Sequence, residues 1–193
     1  MNFNSNFNED YILYRNIDLD WHQVETDLAT VANDQTKLNS IVVQNEYVND
    51  ELNKLTSEYL KFGYTEHNTK IWKTTNGAVK ITFDWEKDII DQLPLDCATA
   101  TVTRQDPGQI LPWHIDRFFF LRKTYPDDTR PIWRFLLFLQ DWKMGHVLQI
   151  NDSVLHHWSR GDVVAFKPET EHVSANIGLE TKWTCNITGF VNQ

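Results

Sequence analysis

The stretch GDVVAFKPETEHVSANIGLETKWTCNIT, residues 161–188, decides the fold. Gly161-Asp162 makes a tight turn, and VVAF after it is a short, wholly apolar run of the kind found in strands buried on both faces. In HVSANI, residues two apart share a face, so His172, Ser174 and Asn176 point one way. NIGLET reads as a hairpin turn, after which KWTCNIT runs back beside HVSANI. That register puts Lys182, Thr184 and Asn186 on one face and Trp183, Cys185 and Ile187 on the other. Which face is the inner one stays open. A lysine on the inside of a barrel is expensive unless an anion meets it; turned outward it is simply solvated, with Trp183 and Ile187 inside.

Working outward, the same texture of short runs and turns begins near residue 70. KIWKTT is followed by NGAVKITF, where Asn76-Gly77 signals a hairpin. DCATATVTRQ, the turn at Asp106-Pro107-Gly108, LPWHIDRFFFL, IWRFLLFLQ, HVLQI, the turn at Asn151-Asp152 and VLHHW complete the series. About eight short strands with no long helices between them predict an antiparallel sandwich or jelly roll. NDELNKLTSEYLKFG predicts a helix that covers one face of a sheet. Leu52, Leu55, Tyr59 and Phe62 fall at steps of three and four, Asp50 or Asn49 caps it, and Gly63 stops it. FDWEKDIIDQLP predicts a short helix ended by Pro94, and Asp27–Asn33 is too short to assign. Residues 1 to 20 read as an extended arm. The expectation is a mainly β fold with flanking helices: a single domain over 1–193, with residues 1–70 as arm and supporting helix and 71–193 as the jelly-roll core.

Composition bounds the partners. The 193 residues are 41% hydrophobic and 13% aromatic, the make-up of a packed globular chain. A net charge of −9 argues against general nucleic-acid binding, which relies on clustered Lys and Arg. Cys97 and Cys185, with no CxxC, fit a reducing compartment. No secretory leader is visible and no window approaches the roughly 18 apolar residues of a membrane span, so a cytoplasmic protein is expected.

Against this background His114 and Asp116, in PWHID, share a strand face and can meet one atom. An open metal site for oxygen chemistry needs two neutral imidazoles and one carboxylate on one face of the ion. His146, His156, His157 and His172 are the candidates for the second imidazole. His156 and His157 sit beside a turn, at a rim, whereas His146 and His172 each open a strand. Arg134 interrupts an apolar run, sharing its face with Leu136, Phe138 and Gln140, and is either at a barrel mouth or paired with a carboxylate such as Asp127, Asp128 or Asp141.

HID at 114–116, followed by GDVVAFKPETEHVSANIGLETK with His172 and Lys182, resembles the Fe(II)- and 2-oxoglutarate-dependent dioxygenases, over roughly residues 95 to 190. The downstream half looks most like the branch with aspartyl/asparaginyl β-hydroxylases and small proline hydroxylases. That branch often lacks the acidic ligand supplied here by Asp116, and more commonly uses Arg where this chain has Lys182. The resemblance implies a double-stranded β-helix (cupin-like jelly roll) in which His114, Asp116 and His172 hold Fe(II). It implies that Lys182, assisted by Thr184, or else Arg134, binds the far carboxylate of 2-oxoglutarate. O2 is then consumed, 2-oxoglutarate leaves as succinate, and an amino-acid or peptide substrate is hydroxylated. Trp113 and His146 are expected to line the substrate mouth. The competing expectation is a cupin-type metal-binding or structural jelly roll without oxygenase activity.

Overall fold

The computed structural model describes residues 11–14, 17–32, 34, 38–40, 50–76 and 79–192. Asn49, the side chains of Asp50 and Leu52, the turn at Gly77 and residues 1–10 of the expected arm lie outside the described residues.

Two antiparallel sheets face each other. The larger contains, in spatial order, β1 (Ile12–Tyr14), β11 (Val163–Phe166), β8 (Ile132–Phe138), β13 (Lys182–Val191), β6 (Leu95–Gln105), β3 (Lys70–Lys73) and β2 (Leu38–Ser40). The smaller is β10 (Ser153–Leu155), β9 (His146–Ile150), β12 (Glu171–Asn176) and β7 (Ile110–Ile115). A two-stranded pair, β4 (Thr75–Asn76) with β5 (Val79–Lys80), stands apart from both. The protein is a double-stranded β-helix with flanking helices.

The two-residue period of the strands explains why β11 and residues 135–138 of β8 are unbroken apolar runs. Phe135 and Leu137 of β8, and Val163 and Ala165 of β11, join the core that also holds α1 (Trp21–Val31) and α4 (Asp84–Asp91). Their alternates Leu136, Phe138, Val164 and Phe166 face the smaller sheet and meet Leu148, Ile150 and Trp158. Both faces are buried, so neither needs polar residues.

β13 is the informative exception. Cys185 and Ile187 go to the helix side, while Lys182 reaches the smaller sheet, donating from Nζ to Val147 O at 2.5 Å and to Ser174 Oγ at 2.8 Å. Lys182 is therefore inside, 1% exposed. The expected hairpin between HVSANI and KWTCNIT does not form. β12 pairs with β7 and β9, β13 pairs with β6 and β8, and residues 177–181 cross from one sheet to the other. The alternation survives this change of partner because it belongs to the strand, not to its neighbour.

The helices correct the sequence reading in two places. The helix covering the larger sheet is α1, whose residues 27–31 fall in the stretch left unassigned from sequence. Asp20 caps it by accepting from the His22 and Gln23 amides, and Val24 and Leu28, four apart, are buried. α4 docks on it, Trp85 Nε1 donating to Asp27 Oδ2 at 2.9 Å. The expected helix, α2 (Asp50–Lys61), forms and is tied to β7 of the smaller sheet, Tyr59 donating to Trp113 O at 2.8 Å. Phe62, expected on its buried stripe, is 77% exposed, because the helix ends at Lys61 and the turn through Gly63, φ +82°, swings Phe62 off the stripe. VLHHW is also shorter as a strand than expected: it ends at Leu155, with His156 and His157 exposed and His157 at φ +56°.

Candidate metal centre

His114 comes from β7, Asp116 from just beyond its end, and His172 from β12, which pairs with β7 so that His172 lies opposite His114. One ligand atom from each of the three fits within 4.8 Å of the others. His114 Nε2 is 3.9 Å from Asp116 Oδ1, and His172 Nε2 is 3.7 Å from Asp116 Oδ2. The two imidazole centroids are 4.2 Å apart.

The local backbone orients both rings in the same way. His114 Nδ1 lies 2.7 Å from Pro112 O and His172 Nδ1 lies 3.1 Å from Thr170 O, each carbonyl two residues back on the same chain segment. A carbonyl only accepts, so Nδ1 carries the proton and Nε2 presents its lone pair to the shared centre. Burial pushes both imidazoles toward the neutral form, His172 down to about 4, with His114 as a further cause. Burial alone would raise Asp116, but Arg134 and the two imidazoles outweigh it and hold the carboxyl well below the usual range. Two neutral nitrogens and one carboxylate oxygen are the protonation states a divalent ion requires, and the set suits a non-haem iron with open positions.

Arg134, on the interior face of β8, finds its carboxylate here. Its Nε donates to Asp116 Oδ2 at 2.7 Å, its Nη1 donates to Thr188 Oγ1 at 2.6 Å, and Phe118 lies 5.4 Å from its guanidinium carbon. Asp127, Asp128 and Asp141, the partners foreseen from sequence, are not used by Arg134; Asp128 pairs with Arg130.

Ser174 is one strand step from His172 on the same face, roughly 7 Å along the strand. It is also where Lys182 Nζ bonds, so the cation lies one step deeper than the imidazole. No carboxylate pairs with Lys182 among the described residues, and burial brings its ammonium down to about 7. Trp158, whose ring lies 5.6 Å from Lys182 Nζ, keeps a buried Nε1 without a hydrogen-bond partner among the described residues. Such a site, a buried cation with a spare donor beside it, fits the distal carboxylate of a 2-keto diacid. Thr184 follows on the interior face of β13 and is buried.

Two expected mouth residues lie elsewhere. Trp113 alternates with His114 and so occupies the opposite face of β7, where its Nε1 donates to Glu171 Oε2 at 2.9 Å. His146 is at the far end of the barrel from the triad: it pairs with Asn176, is 2% exposed, and meets Glu180 O through Nε2 at 2.9 Å. The sequence reading missed α5 (Phe119–Thr124) and the left-handed Phe118, φ +51°, that starts it beside Arg134. The run of three Phe hid the break. Among the described residues, no helix is long and apolar enough to cross a membrane.

No protein-family model matches the chain, and no curated protein matches it. Among solved structures it is similar to a Pseudomonas putida prolyl-4-hydroxylase, with a TM-score of 0.54 and 17% identity over 95% of this chain and 93% of that one. It is also similar to SnoK, a non-heme alpha-ketoglutarate dependent carbocyclase from nogalamycin biosynthesis, with a TM-score of 0.53 and 9% identity over 94% of this chain and 79% of that one. At such identities the likeness is one of fold: this chain shares a double-stranded β-helix with oxygenases of that type.

Proposed function

We propose that the protein is an Fe(II)- and 2-oxoglutarate-dependent oxygenase that hydroxylates an amino-acid or peptide substrate. The observation that carries this reading is the pairing of a His114-Asp116-His172 cluster, its tautomers preset, with a buried Lys182 one strand step away that meets no carboxylate among the described residues. His114, Asp116 and His172 would hold the metal, which activates O2 and drives the oxidative loss of carbon dioxide from the keto acid. Lys182 anchors the far carboxylate, with Thr184 beside it. Phe166 packs against His172 at 4.8 Å and, with Leu136 and Phe138, keeps water from the cluster's inner side. Residues 1–193 would work as one domain, with β1 and β2 extending the larger sheet and α1 covering the outer face of the 71–193 core.

A cupin-type metal-binding role without oxygenation is the second reading. The bonds of Lys182 Nζ to Val147 O and Ser174 Oγ favour it, since they hold the lysine without a cosubstrate carboxylate. One experiment separates the two. Fe(II) and 2-oxoglutarate are added to the wild type without oxygen, with His114→Ala alongside. The expected result is a weak visible charge-transfer band in the wild type only, bleached by O2 with release of succinate. Iron binding with no band supports the cupin role, and absence of iron binding removes both readings.

A further inference from the structure

Resting on the metal-centre reading, we propose that Arg134 is a positioning residue that makes Asp116 a one-oxygen ligand. A carboxylate can give a metal one oxygen or two. With two imidazoles already bound, two carboxylate oxygens would leave an octahedral ion only two free positions, and one oxygen leaves three. A bidentate cosubstrate plus a gas needs three. The choice is decided by what holds the second oxygen.

Here Arg134 holds it. Nε donates to Oδ2 at 2.7 Å, while Oδ1 faces His114 Nε2 at 3.9 Å; Oδ2 also lies 3.7 Å from His172 Nε2, so the guanidinium engages an oxygen that stands within reach of the centre. The guanidinium is itself fixed from other sides. Arg134 lies opposite Thr188 in the β8–β13 register and donates Nη1 to its hydroxyl at 2.6 Å, and Phe118 lies 5.4 Å from its guanidinium carbon. Both ends of the ion pair are only 18% exposed, so water competes poorly for Oδ2. For Asp116 to turn its second oxygen to the ion, it must break a charge-assisted bond in a place where little solvent is at hand to replace it. With Nε and Nη1 engaged on Asp116 and Thr188, Arg134 stands at the metal end of the interior. An ion pair of purely structural value would be indifferent to how the metal is coordinated.

The test uses Mn(II) alone, with no substrate and no turnover. Inner-sphere waters on protein-bound Mn(II) are counted from the broadening of its electron-spin resonance lines in oxygen-17 water. Wild type is expected to hold roughly three exchangeable waters and Arg134→Leu roughly two, as Oδ2 swings onto the ion. Arg134→Lys, which still offers a donor to Oδ2, should return the count to roughly three. A count of about two in the wild type overturns the proposal by itself, even if the leucine variant does not fold. A leucine variant that binds Mn(II) and keeps about three waters overturns it as well and leaves the metal centre intact. Wild type that binds no Mn(II) overturns the metal-centre reading, and this proposal with it.

Discussion

Lys182 shows most sharply how one side chain links folding to chemistry. Its buried ammonium is brought down to about 7 from 10.5 by desolvation. Between those values the unfolded chain holds the proton more tightly than the folded one, so stability rises with pH across that window. Lys182→Met removes the buried cation and is expected to raise the melting temperature below pH 7, by about 2–4 °C for each kcal/mol relieved. The same change should weaken 2-oxoglutarate binding about 10- to 100-fold, the cost of losing a charge-assisted contact. A lower melting temperature would mean that the bonds to Val147 O and Ser174 Oγ outweigh the desolvation. Above pH 7, carboxylate binding should draw a proton onto Lys182, measurable by calorimetry in buffers of different ionisation enthalpy. Much of this residue was legible in the sequence: its spacing from His172 and its face of the strand are local properties. That Lys182 points inward was not, because two amphipathic choices of face are equivalent until a partner sheet exists. Arg134 was flagged as needing a carboxylate, yet Asp116, 18 residues upstream, becomes its partner only when the two sheets are stacked.

The connection between β12 and β13 sets where Lys182 enters. Residues 177–181 pass close against the start of β9: Ile177 N donates to Gly145 O, and a Cβ on Gly145 would lie 2.3 Å from Gly178 Cα. Gly145 also has φ +92°, a region costly for any other residue. Gly145→Ala should therefore destabilise by well over the ~1 kcal/mol of backbone strain alone, and by displacing the crossing segment it should also weaken cosubstrate binding. Urea unfolding and a binding isotherm check the two effects, and a variant within about 0.5 kcal/mol of wild type would contradict both. At this scale the sequence was legible wherever the pattern was strong, as in the apolar runs of β8 and β11 and the alternation of β13. It misled where the signal was chain reversal: IGLET has hairpin composition but makes an arch between sheets, and composition does not distinguish the two. α1 was missed although Trp21, Val24, Leu28 and Val31 fall at steps of three and four, because Thr and Asp dilute the positions between them.

Across the whole molecule, the larger sheet is assembled from distant segments, with Val191 beside Leu95 and Ile12 beside Ala165. Strand texture and turn spacing announced two facing sheets, but the order of strands within them depends on pairings between residues tens of positions apart, and no local pattern encodes those. The division of labour between the sheets has its own result. His114 and His172 are both carried by the smaller sheet, with Asp116 at its margin, while Lys182 stands on the larger one. In the oxygenase reading the two layers act as the jaws of a caliper, and the gap between them gauges the length of the diacid. Chain-length selection then belongs to the stacking of the layers. A keto diacid one carbon longer or shorter than 2-oxoglutarate should bind at least about tenfold more weakly, since it cannot reach both jaws. A competition series of such acids measures it. Trimming Leu148, which sits between the layers, should reset the preferred length without removing any group that holds the ligand.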